Sequence, residues 1–247
     1  MDKVVVITGA SGGIGAATAE LLAARGARLT IVARGEEALK AVADRCGPGA
    51  FAIVADATRR EEVGRVVQKS LAHFGRIDVW INNVGRGITR LPSELSDQDV
   101  EDMVRVNVLT AMYGMQEVLP HFKERGAGHI INVSSMLGRI PLKPFRSAYN
   151  GAKHFLNALT ANFRAEIAET HPGIQVSLIS PGVVRTDFGR NALHGGPDSH
   201  QIPESQSAEE VAAVIVGVVE SPRPDVYTFP GARDRVVGYF ESLGVDP

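Results

Sequence analysis

Tyr149 and Lys153 stand four residues apart in Tyr149-Asn150-Gly151-Ala152-Lys153, at the start of an alanine-rich stretch with helical spacing. Positions i and i+4 share one helix face, so a phenol and an ammonium converge there. A free tyrosine titrates near about 10, too high for easy proton exchange at neutral pH. A neighbouring cation favours the phenolate and lowers that value by about 1–3 units. Tyr149 is thus a candidate general acid or base, a role worth about 10²–10⁴ in rate. Taken alone, the pair is more often a surface contact. Upstream, Ile130-Ile131-Asn132-Val133-Ser134-Ser135 reads as a buried strand ending in two hydroxyls. Neighbouring strand residues point to opposite faces, so only one serine faces a site beside Tyr149. The plain alternative is a pair of serines closing a strand.

A second constellation opens the chain. Val4-Val5-Val6-Ile7 runs into Thr8-Gly9-Ala10-Ser11-Gly12-Gly13-Ile14-Gly15, and a helical pattern follows at once. A strand that feeds a glycine turn and then a helix N-terminus makes a phosphate site, because backbone N–H groups and the positive helix end point at the anion. Gly9 suits the tight turn, Gly13 lets a pyrophosphate approach, and Gly15 allows close helix–sheet packing. The context of strand and helix makes dinucleotide binding the reading.

The second strand tells which dinucleotide. An acid about twenty residues past the glycines accepts from the ribose 2′-hydroxyl and marks NAD. Here Leu29-Thr30-Ile31-Val32 ends in Ala33-Arg34. The acid is absent, and Arg34 offers a bidentate contact to a 2′-phosphate. Ser11 adds a hydroxyl. NADP(H) is therefore the expected cofactor, with NAD(H) kept as the alternative because Glu36 and Glu37 follow closely. Asp56, before Ala57 at the end of the third strand, either accepts from the adenine amine or caps a turn.

These residues need a scaffold. Apolar runs near 3–8, 28–33, 51–54, 77–81, 127–134, 174–180 and 225–229 read as strands. Helical patterns lie near 14–25, 36–46, 59–73, 97–124, 148–170 and 207–220. Thr58 with Glu61, Ser96 with Asp99, and Ser207 with Glu210 have capping-box spacing. Ile14, Ala17, Leu21 and Leu22 share a face of the first helix, and Gly26 stands at its C-terminal stop. Alternation implies an α/β doubly wound Rossmann fold, a seven-stranded parallel sheet with helices on both faces. The 247 residues suit one domain spanning 1–247. One segment, about 182–206, lacks periodicity and follows the sixth strand, where open parallel sheets bind ligands; it is expected to cover substrate.

The balance of 44% hydrophobic and 22% charged residues with net charge −2 gives no electrostatic case for nucleic acid or an anionic membrane. Cys46 is the only cysteine, so no internal disulfide forms. The apolar run Val211–Val219 is too short to span a bilayer. The first strand begins by Lys3, so no leader is expected and a cytoplasmic location is. His194 and His200, with Asp198 between them, read as solvated loop residues, and no metal is expected. His154 and the group Met112, Tyr113, Met115 read as packing.

The ordered set of motifs resembles the short-chain dehydrogenase/reductase family, in its single-domain branch, over nearly the whole chain. Thr8–Gly15 is similar to its glycine motif, and Asp56 stands at its adenine-contacting position. Asn82-Asn83-Val84-Gly85 resembles its Asn-Asn-Ala-Gly motif, with Val84 for the usual alanine. Asn107, Ser135, Tyr149 and Lys153 match its four catalytic residues, and Pro181-Gly182-Val183-Val184-Arg185-Thr186 its motif after the sixth strand. The resemblance implies cofactor contacts from Gly9, Ser11, Gly13, Ile14, Gly15, Arg34, Asp56, Ala57, Asn83, Val84, Gly85, Tyr149, Lys153, Pro181, Gly182, Val184 and Thr186.

It also implies hydride transfer between nicotinamide and a carbonyl or secondary alcohol. Tyr149 would move the proton, Ser135 polarise the oxygen, Lys153 lower the Tyr149 pKa and hold the ribose, and Asn107 help hold a water. Ser135 lies fourteen residues before Tyr149, one more than the family spacing; a strict register would place Met136 there. Ser135-Met136-Leu137-Gly138 keeps the family's Ser-x-x-Gly pattern and favours Ser135. The extra residue then falls in the loop Pro141–Arg146. By analogy Leu137, Phe145, Phe188 and Leu193 line an apolar substrate pocket, and Arg86 meets an anionic group. A homodimer or homotetramer packed through the helices near 97–124 and 148–170 is implied. Alternatives are a catalytically silent dinucleotide sensor, an NAD-dependent dehydrogenase of the same family, and a sugar-nucleotide epimerase, which chain length and glycine spacing oppose.

Overall fold

The structure, a computed structural model, describes residues 1–244. Seven strands form one parallel sheet in the order β3-β2-β1-β4-β5-β6-β7. They are β1 (Val4–Thr8), β2 (Arg28–Ala33), β3 (Ala50–Val54), β4 (Val79–Asn82), β5 (Gly128–Val133), β6 (Ile174–Ser180) and β7 (Asp225–Tyr227). The α-helices are α1 (Gly13–Ala24), α2 (Glu36–Cys46), α3 (Arg60–Phe74), α4 (Asp97–Val104), α5 (Thr110–Arg125), α6 (Ser147–Thr170), α7 (Ala208–Glu220) and α8 (Ala232–Glu241).

Strand alternation divides the core between the two sheet faces. Val5, Ile7, Ile81 and Ile131 pack with Leu22 of α1, Leu39 of α2 and Ile215 of α7. Val6, Trp80 and Ile130 pack on the other face with Val66 of α3, Phe122 of α5 and Ile167 of α6. Each such fully buried aliphatic side chain contributes about 1.5–3 kcal/mol. Helix α1 packs on the sheet beside α2 and α7, and its buried residues are Gly15, Ala16, Thr18, Ala19 and Leu22. Ile14, Ala17 and Leu21 pack against the same core but only partly buried.

The strand order reverses between β1 and β4, which leaves a crevice at their C-terminal ends. The turn after β1 and Asn83–Gly85 after β4 both face it. Ser96 and Ser207 close capping boxes with Asp99 and Glu210. Thr58 does not cap with Glu61. Its N–H and hydroxyl both donate to Asp56 Oδ1, at 2.9 and 2.8 Å, and Arg59 takes the N-cap position of α3 without a side-chain bond. An Asx-type turn has captured the threonine.

The helix expected over 97–124 is also not uniform. A π-helical turn, Arg105–Leu109, joins α4 to α5. Helix α8 has no counterpart in the sequence reading: Ala232 alone among its residues is buried, so its apolar periodicity is faint.

Candidate active site

Gly9 sits at φ +71°, and a Cβ there would lie 3.1 Å from Val84 N. At Gly15 a Cβ would stand 2.2 Å from Gly9 O, so only glycine lets α1 approach the turn this closely. Asn83 Nδ2 donates to Gly9 O at 3.0 Å and Asn83 N to Thr8 Oγ1 at 3.3 Å, which ties the two sides of the crevice together. Ala10 N donates to Val32 O at 3.0 Å, which fixes the turn against the end of β2.

Gly12 is the N-cap of α1 and brings no side chain to the exposed first-turn N–H groups. Beside it opens a cavity of about 330 Å³ lined by Gly12, Gly13, Ala16, Arg45, Arg185 and Thr186, with Glu20, Asp187 and Glu209 also on its wall. An uncapped helix N-terminus on a cavity fits a pyrophosphate. Thr186 closes the far wall, since a Cβ at Gly13 would touch its Cγ2 at 3.1 Å. Val184, Gly182 and Pro181 precede it; Pro181 O accepts from Met136 N at 2.8 Å.

Arg34 is exposed and makes no side-chain hydrogen bond or ion pair among the described residues. Ser11 is half-buried in the same turn. Glu36 and Glu37 occupy the first turn of α2, where the helix dipole favours acids regardless of any ligand. Asp56 uses Oδ1 for the Thr58 turn, and Ala57 is packed into the core.

Four polar side chains gather at the C-terminal ends of β4 and β5. The two serines at the end of β5 diverge. Ser134 Oγ donates to Asn157 Oδ1 of α6, whereas Ser135 Oγ accepts from Leu137 N at 3.1 Å and stands close enough to the Tyr149 phenol to favour its ionised form. Met136 packs instead with Ile140 and Ala232, so the register that would replace Ser135 by Met136 is not the one adopted. Lys153 Nζ donates to Val133 O at 3.1 Å and lies 5.8 Å from the Tyr149 ring centroid. Asn107, wholly buried in the π turn, donates from Nδ2 to Met103 O and Arg86 O, both at 3.0 Å, and accepts from Arg86 N at 3.1 Å. A Cβ on Gly85 would stand 3.1 Å from Asn107 Oδ1 and 3.5 Å from Lys153 Nζ, so these groups share one small space. π turns recur at functional sites because they re-aim a side chain within a helix.

The electrostatics differ from the sequence expectation in one respect. Burial pushes the Tyr149 phenol up to about 12, against the Ser135 hydrogen bond and the Arg146 charge, which favour its ionised form. Burial also pulls Lys153 down to about 7. The same apolar surroundings penalise the charged form of both groups.

Above these groups lies the aperiodic segment 182–206, which is ordered and docked. Leu193 N donates to Gly87 O at 2.8 Å and Thr89 N to Leu193 O at 3.0 Å. His194 Nε2 lies 2.6 Å from Asp99 Oδ1, and the His194 bond, together with the Ser96 backbone bond, holds that carboxylate at about 2. His194 is thus a tether to α4 rather than the freely solvated residue expected from sequence. The Phe188 ring meets Tyr149 edge-on at 5.5 Å.

Leu137, Phe188 and Leu193 pack into the cluster around Tyr149, but Phe145 does not; the next residue, Arg146, turns inward in its place. Arg86 is exposed, with Nε donating to Asn191 O at 3.0 Å. Arg146 escaped the sequence reading. Its signal was an arginine three residues before the tyrosine, which by type reads as surface. No metal-holding group of His, Cys, Asp or Glu occurs among the described residues.

A phosphate turn at the strand reversal and a buried tyrosine–lysine pair across the crevice define a nicotinamide-dinucleotide oxidoreductase. The model of the short chain dehydrogenase family matches residues 3–195. The uncharacterized oxidoreductase YxnA of Bacillus subtilis is 34% identical over 98% of this chain and 69% of its own. An uncharacterized oxidoreductase of Staphylococcus saprophyticus is 37% identical over 76% of each. A short-chain dehydrogenase/reductase of Burkholderia phymatum in complex with NAD superposes with a TM-score of 0.87 at 25% identity, covering 100% of this chain and 97% of that one. An alcohol dehydrogenase of the archaeon Thermococcus sibiricus, complexed with 5-hydroxy-NADP, gives 0.80 at 28% identity, covering 92% and 96%. This chain belongs to the short-chain dehydrogenase/reductase family.

Proposed function

We propose that the protein is an NADP(H)-dependent reductase of ketones or aldehydes, working reversibly as an alcohol dehydrogenase, within one domain spanning 1–247. The observation that carries this is the buried Tyr149 beside Lys153, whose Nζ lies 5.8 Å from the ring centroid, with Asn107 Oδ1 in the same small space. The nicotinamide supplies the hydride when bound. In reduction Tyr149 gives its proton to the carbonyl oxygen, and Ser135 donates a hydrogen bond to that oxygen. Lys153, poised near neutral pH, holds the nicotinamide ribose and passes a proton back to the phenol. Asn107 keeps the residue-86 backbone in place and helps hold the water that refills the relay. Gly9, Gly13, Ile14 and Gly15 carry the pyrophosphate. Asn83, Val84 and Gly85 wall the crevice, and Asp56 and Ala57 edge the adenine.

The preference for NADP(H) rests on Arg34, a free exposed cation at the end of β2 where NAD enzymes carry an acid. The test is a panel of ketones, aldehydes and quinones with NADPH and NADH. Consumption of NADPH with at least one class is expected. Tight NADPH binding without turnover of any, alongside a captured protein partner, would favour a dinucleotide sensor instead.

A further inference from the structure

One side of α6 carries a line of buried polar residues. Lys153 and Asn157 follow Tyr149 at four and eight residues, so helical spacing stacks the three. Asn157 is 9% exposed, and both ends of its amide are engaged. Nδ2 donates to Gly138 O at 2.6 Å, and Oδ1 accepts from Ser134 Oγ. A carbonyl only accepts, so the amide stands one way round and the Ser134 hydroxyl must donate. Between these two gripped residues runs the short turn that presents Ser135. Within it Ser135 Oγ accepts from Leu137 N at 3.1 Å, and Ser135 O accepts from Gly138 N at 2.9 Å. The hydroxyl thus uses a lone pair on its own turn and keeps its proton free to donate. The turn lies directly on the helix. A Cβ at Gly138 would stand 2.8 Å from Lys153 O and 2.9 Å from Asn157 Nδ2.

We propose that Asn157 is a positioning residue: by fastening both ends of the turn 134–138 to α6, it fixes the Ser135 hydroxyl relative to Tyr149, which the same helix carries. This rests on the carbonyl reduction proposed above. Asn157 acts through Ser135 and not on the reacting atoms. On its other side the turn is held by Met136 N donating to Pro181 O at 2.8 Å, so losing the amide frees it to drift from α6 toward β6. A shift of about 1 Å in a group that orients the substrate lowers rates by about 10²-fold.

The experiment is a double-mutant cycle over the carbonyl panel with wild type, Asn157→Ala, Ser135→Ala and the double variant. Asn157→Ala should lower kcat by about 10- to 100-fold and leave NADPH affinity within about twofold. In the Ser135→Ala background the same change should lower kcat by less than about twofold, because the hydroxyl it positions is gone. An equal fall in both backgrounds, or an unchanged kcat in Asn157→Ala, would overturn the role. Should Asn157→Ala fold poorly, seen as lost NADPH-binding stoichiometry, Ser134→Ala decides, since it releases one grip and keeps the amide. Its fall in kcat should be about three- to tenfold and vanish without Ser135. A fall that persists without Ser135 overturns the role.

Where wild type turns nothing over, or Ser135→Ala too little to compare, hydrogen exchange over 134–140 decides. The Leu137 and Gly138 amides, which both bond to Ser135, should exchange at least about tenfold faster in Asn157→Ala, with β1 and β4 unchanged. Unchanged exchange in the turn, or faster exchange throughout, overturns the clamp. Faster exchange confined to the turn, with no turnover by wild type, supports the clamp and removes the reductase reading.

Discussion

At the residue scale the account turns on Tyr149. Tyr149→Phe removes one oxygen from a buried ring and should cost at least about 10²-fold in kcat, while NADPH affinity stays within a few-fold. Steady-state kinetics with fluorescence titration of NADPH checks both halves. A phenol at about 12 also sets a pH dependence. Alcohol oxidation needs the phenolate, so its kcat/KM should climb with pH across the neutral and alkaline range without a plateau near 7. Lys153 gives a second signature. Its folded pKa is about 7 against a model value of 10.5. Between these values the unfolded chain holds a proton that the folded one lacks, so stability rises with pH there and falls as pH drops through 7. Lys153→Met should flatten that slope in denaturant titrations run across the same window. Arg34→Ala should weaken NADPH by about tenfold or more and leave NADH nearly unchanged. The sequence offered Tyr149 and Lys153 through helical spacing, and Ser135 through the family's Ser-x-x-Gly pattern against a strict register that favours Met136. It did not offer the direction of the Lys153 effect, because desolvation depends on how residues far apart in the chain close over a site.

At the scale of elements, legibility followed periodicity. Strands such as β1, whose residues are all buried, stand out as continuous apolar runs, and capping boxes at Ser96 and Ser207 form as their spacing says. Thr58 has the same spacing but sits two residues after an aspartate that claims it first. The π turn at Arg105–Leu109 leaves no mark in hydrophobic pattern, yet it is what aims Asn107. The segment 182–206 was legible as an aperiodic stretch after β6 but not as a docked one, since its contacts with Gly87, Thr89 and Asp99 are all long-range. Its His194 tether makes a prediction of its own. His194→Ala should raise amide exchange and protease cleavage across 187–200 and leave the protection of β1 and β4 unchanged.

At the scale of the whole molecule, the sheet order places the two halves of the site. β1 and β4 are neighbours in space although more than seventy residues separate them, and their divergence opens the crevice into which the glycine turn and the tyrosine both look. Among the described residues no helix is long and apolar enough to cross a membrane. Phe155 is 51% exposed on α6, one of the helices through which the family resemblance implies a dimer or tetramer. Light scattering should report that assembly, and Phe155→Glu should shift it toward monomer. The most direct test of the central claim follows NADPH absorbance over the carbonyl panel with wild type and Tyr149→Phe side by side. The account predicts consumption by wild type, none by Tyr149→Phe, and equal NADPH binding by both. Consumption retained in Tyr149→Phe would contradict it.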